Sequence, residues 1–108
     1  MAGGFNTPGL ASVVANSGGV ESFGFSFTSP EKIDAILQTT KKLTSGFINA
    51  NFFVFKPVKL PEKKVQEEAI QAIQSLSLNH KYEINIPKEP FYFNLESQIE
   101  ATLRTFLQ

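Results

Sequence analysis

Residues 20–55 read VESFGFSFTSPEKIDAILQTTKKLTSGFINANFFVF, and the change of period inside them decides the fold class. From Val20 to Phe27 the pattern alternates, with Phe23, Phe25 and Phe27 on one face and Ser22, Gly24 and Ser26 on the other, as in a strand. Ser29 and Pro30 then start a helix. Serine accepts a first-turn N–H, and proline at the first helical position lacks an N–H the helix does not need. Ile33, Ile36, Leu37, Thr40 and Leu43 recur along one side of that helix, which ends near Ser45 and Gly46. FINANFFVF, residues 47–55, returns to period two, with Ile48, Ala50, Phe52 and Val54 facing one way and Asn49, Asn51 and Phe53 the other. Two strands joined by a helix of this length call for parallel pairing.

Upstream, Thr7 and Pro8 repeat the cap-then-proline rule, and the helix over residues 7–17 places Leu10, Val13 and Val14 on a shared face. Gly18 and Gly19 stop it, because glycine accepts the left-handed conformation of a helix end. Downstream, Pro57 and Pro61 break the chain before a helix over residues 62–76, with Val65, Ala69, Ala72, Ile73 and Leu76 on its apolar side. Lys63, Lys64, Glu67 and Glu68 form a solvated opposite face. Residues 77–93, with Pro87 and Pro90, read as an irregular excursion containing a short strand at 82–86. Asn94 caps a last helix whose Ile99, Leu103 and Phe106 are expected to face a core.

The chain has 108 residues, enough for one domain with an ordinary core. Hydrophobic residues make up 42% and charged ones 19%, a globular mixture. Ten basic side chains balance ten acidic ones, so no overall field draws the molecule to nucleic acid or an anionic membrane. No apolar run approaches the roughly 20 residues of a membrane helix, and the start lacks the features of a secretory signal. Cysteine is absent, which removes disulfides, thiol catalysis and cysteine-bound zinc, and a cytoplasmic location is expected. Eleven Phe against two Tyr and no Trp predict a core with few polar handles.

The two strand patterns share a chemical meaning if their large faces pack on helices. The opposite face would then offer space beside Ser22, Gly24 and Ser26, and amide donors and acceptors from Asn49 and Asn51, next to a flat ligand. The same residues equally suit the solvent-facing side of an open sheet. His80, the only histidine, is expected at the surface.

MAGGFNTPGLASVVANSGGVESFGF, SPEKIDAILQTTKKLT and INANFFVF, in that order, resemble the N-terminal part of the nitronate monooxygenases, also called 2-nitropropane dioxygenases. The likeness covers residues 1 to about 56 and resumes weakly at NLESQIEATLRTFL. Its most specific parts are the Met-Ala-Gly-Gly turn, the helix after it, the SPEKI helix start and the Asn-Phe-Phe strand. Glu21, where the family usually has glycine, and Phe47, where many members have proline, depart from it.

The resemblance implies an α/β fold, a partial (β/α)8 TIM barrel of parallel strands alternating with helices, incomplete at both ends. It implies FMN as cofactor and oxidation of alkyl nitronates by O2 to carbonyl compounds and nitrite. Met1, Ala2 and Gly3 match the family's turn whose backbone approaches the flavin, and Asn51 matches an asparagine that contacts it. By the same likeness a strand precedes the turn, and the catalytic histidine comes from later strands, so the chain is expected to be a fragment inactive alone. Two alternatives remain: a flavin-dependent enoyl-acyl-carrier-protein reductase, which shares the early motifs, and a noncatalytic interaction domain that self-associates through exposed strand edges.

Overall fold

A computed structural model describes residues 4–56, 58–81 and 83–107. The element order is α1 (Pro8–Asn16), β1 (Glu21–Gly24), α2 (Pro30–Leu43), β2 (Ile48–Asn51), α3 (Lys63–His80) and α4 (Leu95–Phe106). The chain divides into two compact units, Met1–Val54 with Tyr92–Gln108, and Phe55–Phe91.

In the first unit β1 and β2 pair in parallel, with Glu21 opposite Ile48, Ser22 opposite Asn49, Phe23 opposite Ala50 and Gly24 opposite Asn51. This is the pairing that the strand–helix–strand pattern predicts. The (β/α)8 barrel arc is not formed, however. The described residues hold four helices and one sheet of two short strands. Two features cut the arc short. β1 stops at Gly24 because the chain turns, the Thr28 N–H donating to the Phe25 carbonyl at 2.9 Å. No strand forms among the described residues of 83–94, so α3 and α4 follow one another without one between them. A parallel sheet that is to close needs a strand between successive helices.

The core lies on one face of this sheet. Phe23 and Phe25 stack there with ring centroids 5.3 Å apart, and Ala11 of α1, Ile33 and Leu37 of α2, and Ala101 of α4 close around them. Ile48, Ala50 and Phe52 pack against the same cluster, as their alternation requires. Val54 and Phe27, expected on this face, are exposed because the ladder has ended before either is reached.

Thr7, Ser29 and Asn94 each cap a helix as read from the sequence: their side-chain oxygens accept from the N–H groups of Leu10, Lys32 and Ser97. Gly18 takes φ 85° just past α1, the left-handed geometry glycine tolerates. Gly46 is needed for a different reason. A Cβ there would lie 2.8 Å from the Ala15 Cβ, so only glycine lets the loop before β2 rest on the end of α1. Asn16 fastens that loop, donating to the Leu43 carbonyl at 3.2 Å and accepting from the Thr44 hydroxyl at 2.6 Å.

Two helix faces differ from expectation. α1 buries Ala11, Ser12 and Ala15 and leaves Leu10 and Val13 exposed. α4 buries Gln98, Ala101, Thr102 and Thr105, while Ile99, Leu103 and Phe106 face outward. Small side chains let these helices approach α2 and the strands closely, and Gln98 has a polar task described below.

In the second unit α3 runs to His80, four residues beyond the expected 76, and Lys81 ends it with a φ of 56°. It buries none of its residues, and Val65, Ile73 and Leu76 are exposed. A single helix has no second layer in its own unit on which to bury an apolar side. Lys64 and Glu68 pair at 3.9 Å along the solvated face, as the charge pattern suggests.

Candidate functional site

The sheet face turned away from the core carries Ser22 and Gly24 from β1 and Asn49 and Asn51 from β2. Ladder polarity follows from one bond, the Phe25 N–H donating to the Asn51 carbonyl at 2.9 Å. Alternate residues of a parallel strand turn both backbone groups toward the same neighbour. Asn49 and Asn51 therefore spend their backbone on β1, leaving their side chains for chemistry.

The two amides differ. Asn49 Nδ2 donates to the Ser22 hydroxyl at 2.8 Å and is held flat on the sheet. The half-buried Asn51 makes no side-chain hydrogen bond among the described residues and sits opposite Gly24 at the C-terminal ends of both strands. That is where open parallel sheets bind ligands, since the loops leaving the strands diverge there. The floor beside Asn51 is a glycine, which leaves the space a side chain would fill.

The rim beyond Gly24 is held from two directions. Ser26 is buried and accepts from the Phe53 N–H at 2.8 Å, joining the two strand exits after the ladder has ended. Gln98, 2% exposed on α4, donates to the carbonyls of Phe25 at 2.9 Å and Thr28 at 2.8 Å. These carbonyls belong to the turn that terminates β1: that of Phe25 also accepts from the Thr28 N–H, while that of part-buried Thr28 has no other donor among the described residues. Sequence reasoning missed Gln98 because a glutamine between Ser97 and Ile99 carries no periodic signal.

Asn6 is a second residue that pattern reading passed over. Its Nδ2 donates to the Ser22 carbonyl at 3.1 Å, and its buried Oδ1 has no partner among the described residues. A side chain ahead of the helix thus reaches the outer edge of β1. Glu21, the departure from the family pattern, closes the other half of that edge: its Oε1 accepts from the Ser22 N–H at 3.0 Å. The glutamate is therefore half-exposed and occupied with a backbone donor, not buried beside Phe23.

Of the four residues the resemblance assigns to the flavin, Asn51 lies on this face. Met1, Ala2 and Gly3 lie outside the described residues. No group of three or more metal-ligating side chains occurs among the described residues. His80 ends α3 in the other unit. No described helix is long and apolar enough to cross a membrane.

At the opposite, N-terminal end of β2 lies a groove of about 540 Å³ lined by Lys41, Thr44, Ser45, Gly46, Phe47, Ile48 and Phe106. Lys41 Nζ donates there to the Thr105 carbonyl at 2.6 Å, satisfying a carbonyl in the last turn of α4. The Lys41 ammonium is thereby engaged by the helix end. No protein-family model and no curated protein matches the chain.

Proposed function

We propose that this chain binds FMN over the Gly24–Asn51 rim and acts in a nitronate monooxygenase-like flavoprotein, oxidising alkyl nitronates to carbonyl compounds and nitrite with O2. One observation carries the reading: an asparagine amide with no partner among the described residues stands beside a glycine at the C-terminal end of a parallel pair. A flavin needs a flat surface for its rings and both donor and acceptor groups at its edge. Gly24 offers the first, and the Asn51 amide offers both of the second. The motif order in residues 1–56 points to the same cofactor.

FMN, when bound, supplies the redox chemistry, and the residues of this chain orient it. Asn51 would hold the ring edge, while Gln98 and Ser26 keep the strand exits in place around it. No side chain is assigned as the catalytic base. The chain is expected to bind flavin weakly, because one side-chain contact to it is assigned, to be inactive by itself, because no catalytic base is assigned, and to act in the cytoplasm.

Flavin fluorescence on titration with the purified chain tests this. Quenching is expected, with Asn51→Ala weakening binding by about tenfold, the worth of one to two hydrogen bonds. Asn49→Ala should weaken it less, because that amide is committed to Ser22. No quenching at millimolar FMN, or indifference to Asn51→Ala, would overturn the reading. With flavin bound, oxygen uptake with a nitronate, against reduced-nicotinamide consumption with an enoyl thioester, separates it from an enoyl reductase.

A further inference from the structure

The two edges of the sheet are not equivalent. On β1 the outward-turned backbone belongs to Ser22 and Gly24, and Ser22 has both groups taken, its N–H by Glu21 and its carbonyl by Asn6. Side chains that occupy an edge in this way, one of them charged, block a further strand. On β2 the outward-turned backbone belongs to Ile48 and Ala50, continued by Phe52. No side chain of the described residues bonds to it, and residues 43–55 contain no charge and no proline. β2, though short, thus lacks the charge, the proline and the side-chain caps that protect an edge strand.

We infer that the free edge of β2 pairs with β2 of a second copy, antiparallel about a twofold axis at Ala50. A twofold axis makes the contact self-complementary, so each residue's partner follows from the register. Centred on Ala50, it sets Ile48 against Phe52 of the other copy on the core face, and Asn49 against Asn51 on the polar face. It also sets Phe47 against Phe53.

The register gives the exposed Phe47 ring a partner in Phe53, which within its own chain already meets Phe27 edge-on at 6.5 Å. Phe47 is 82% exposed although it directly precedes a strand, and the pairing covers it with a second aromatic ring. Small Ala50 on the axis lets the two backbones approach. The neutrality of residues 43–55 means that two copies meet with no like-charge penalty, whereas a charged partner strand would find nothing to pair with. The result is a four-stranded sheet in the order β1-β2-β2-β1, with the closed β1 edges outermost, so assembly stops at two chains.

Light scattering coupled to size exclusion, on the full chain without flavin, tests the inference independently of FMN binding. A dimer that dissociates on dilution is expected. Phe47→Lys, which places a charge opposite Phe53, and Ala50→Pro, which removes an edge N–H, should each raise its dissociation constant roughly tenfold or more. Val20→Lys, beside β1, should leave it unchanged. Because Ala50→Pro can disturb the fold, hydrogen exchange on the unaltered chain gives a second readout: the Ala50 amide should exchange more slowly as concentration rises, and that of Ser22 should not. A monomer at every concentration overturns the inference, as do assembly past the dimer and a dimer indifferent to Phe47→Lys.

Discussion

α2 and α4 begin alike and end up with opposite relations to the core. Each has a polar N-cap, an acidic residue in the first turn and large apolar residues at helical spacing. α2 buries the middle of its stripe, leaving Ile33 0% and Leu37 1% exposed, while Leu43 in its last turn, expected on the same side, is 49% exposed. α4 leaves Ile99 39% and Leu103 49% exposed and turns Gln98, Ala101, Thr102 and Thr105 inward. The cause is the turn after β1. The part-buried Thr28 carbonyl has no other donor among the described residues, and the buried Phe25 carbonyl, which already accepts from the Thr28 N–H, takes a second; α4 is the helix that brings both bonds. A carbonyl left without a donor on burial costs about 1–3 kcal/mol, comparable with the gain from burying one leucine side chain. Hydrophobic period predicts the buried face of a helix only where no backbone group competes for it.

The comparison breaks most sharply at its two leucines. Leu37→Ala should cost about 2–5 kcal/mol, the range for a fully enclosed leucine. Leu103→Ala should cost no more than about 1 kcal/mol, since half the side chain already meets solvent. Urea denaturation of both variants measures the difference, and equal losses would mean that the outward stripe of α4 is covered in solution. Gln98→Leu comes next. It makes the inward face of α4 more apolar yet should destabilise by about 1–2 kcal/mol, because it removes the donor to the Thr28 carbonyl and the second donor to that of Phe25. A gain in stability would show that apolar period, not polar satisfaction, sets this face.

How much was legible follows from the same physics. The caps at Thr7, Ser29 and Asn94, the turn at Gly18 and the parallel pairing of β1 with β2 all rest on neighbouring residues or on one crossover, and each is read directly from sequence. The barrel arc was not formed, because sheet closure depends on strands beyond β1 and β2 and no local pattern supplies them. The small-residue faces of α1 and α4 depend on how closely helices approach, which a periodicity cannot encode. At the site, alternation placed Asn49 and Asn51 on one face correctly. It could not say that Ser22 would engage Asn49 while Asn51 has no partner among the described residues, nor that Asn6 and Gln98 would reach in from distant positions.

The smallest effect separates the two helix starts by pH. At α2 the Glu31 carboxylate accepts from its own backbone N–H and from the Ser29 hydroxyl, and both hold its pKa below the ordinary 4.5. At α4 the Asn94 Oδ1 is occupied by Ser97, accepting from its N–H at 2.9 Å and its hydroxyl at 3.3 Å. A carboxylate whose folded pKa is lowered binds its proton more weakly than in the unfolded chain. Its contribution is therefore full above 4.5 and is lost as pH falls from there through the lowered folded value. Glu31→Gln should flatten the fall in stability over that window and leave stability at pH 7 slightly reduced, because the negative charge near the helix N-terminus is gone. Ser29→Ala should do the same in part and also cost about 1 kcal/mol at neutral pH, through loss of the cap to Lys32. Denaturation midpoints of the three chains between pH 3 and 7 give the measurement. If the acid limb of Glu31→Gln overlays that of the unaltered chain, the first turn of α2 contributes no more to the pH dependence than that of α4.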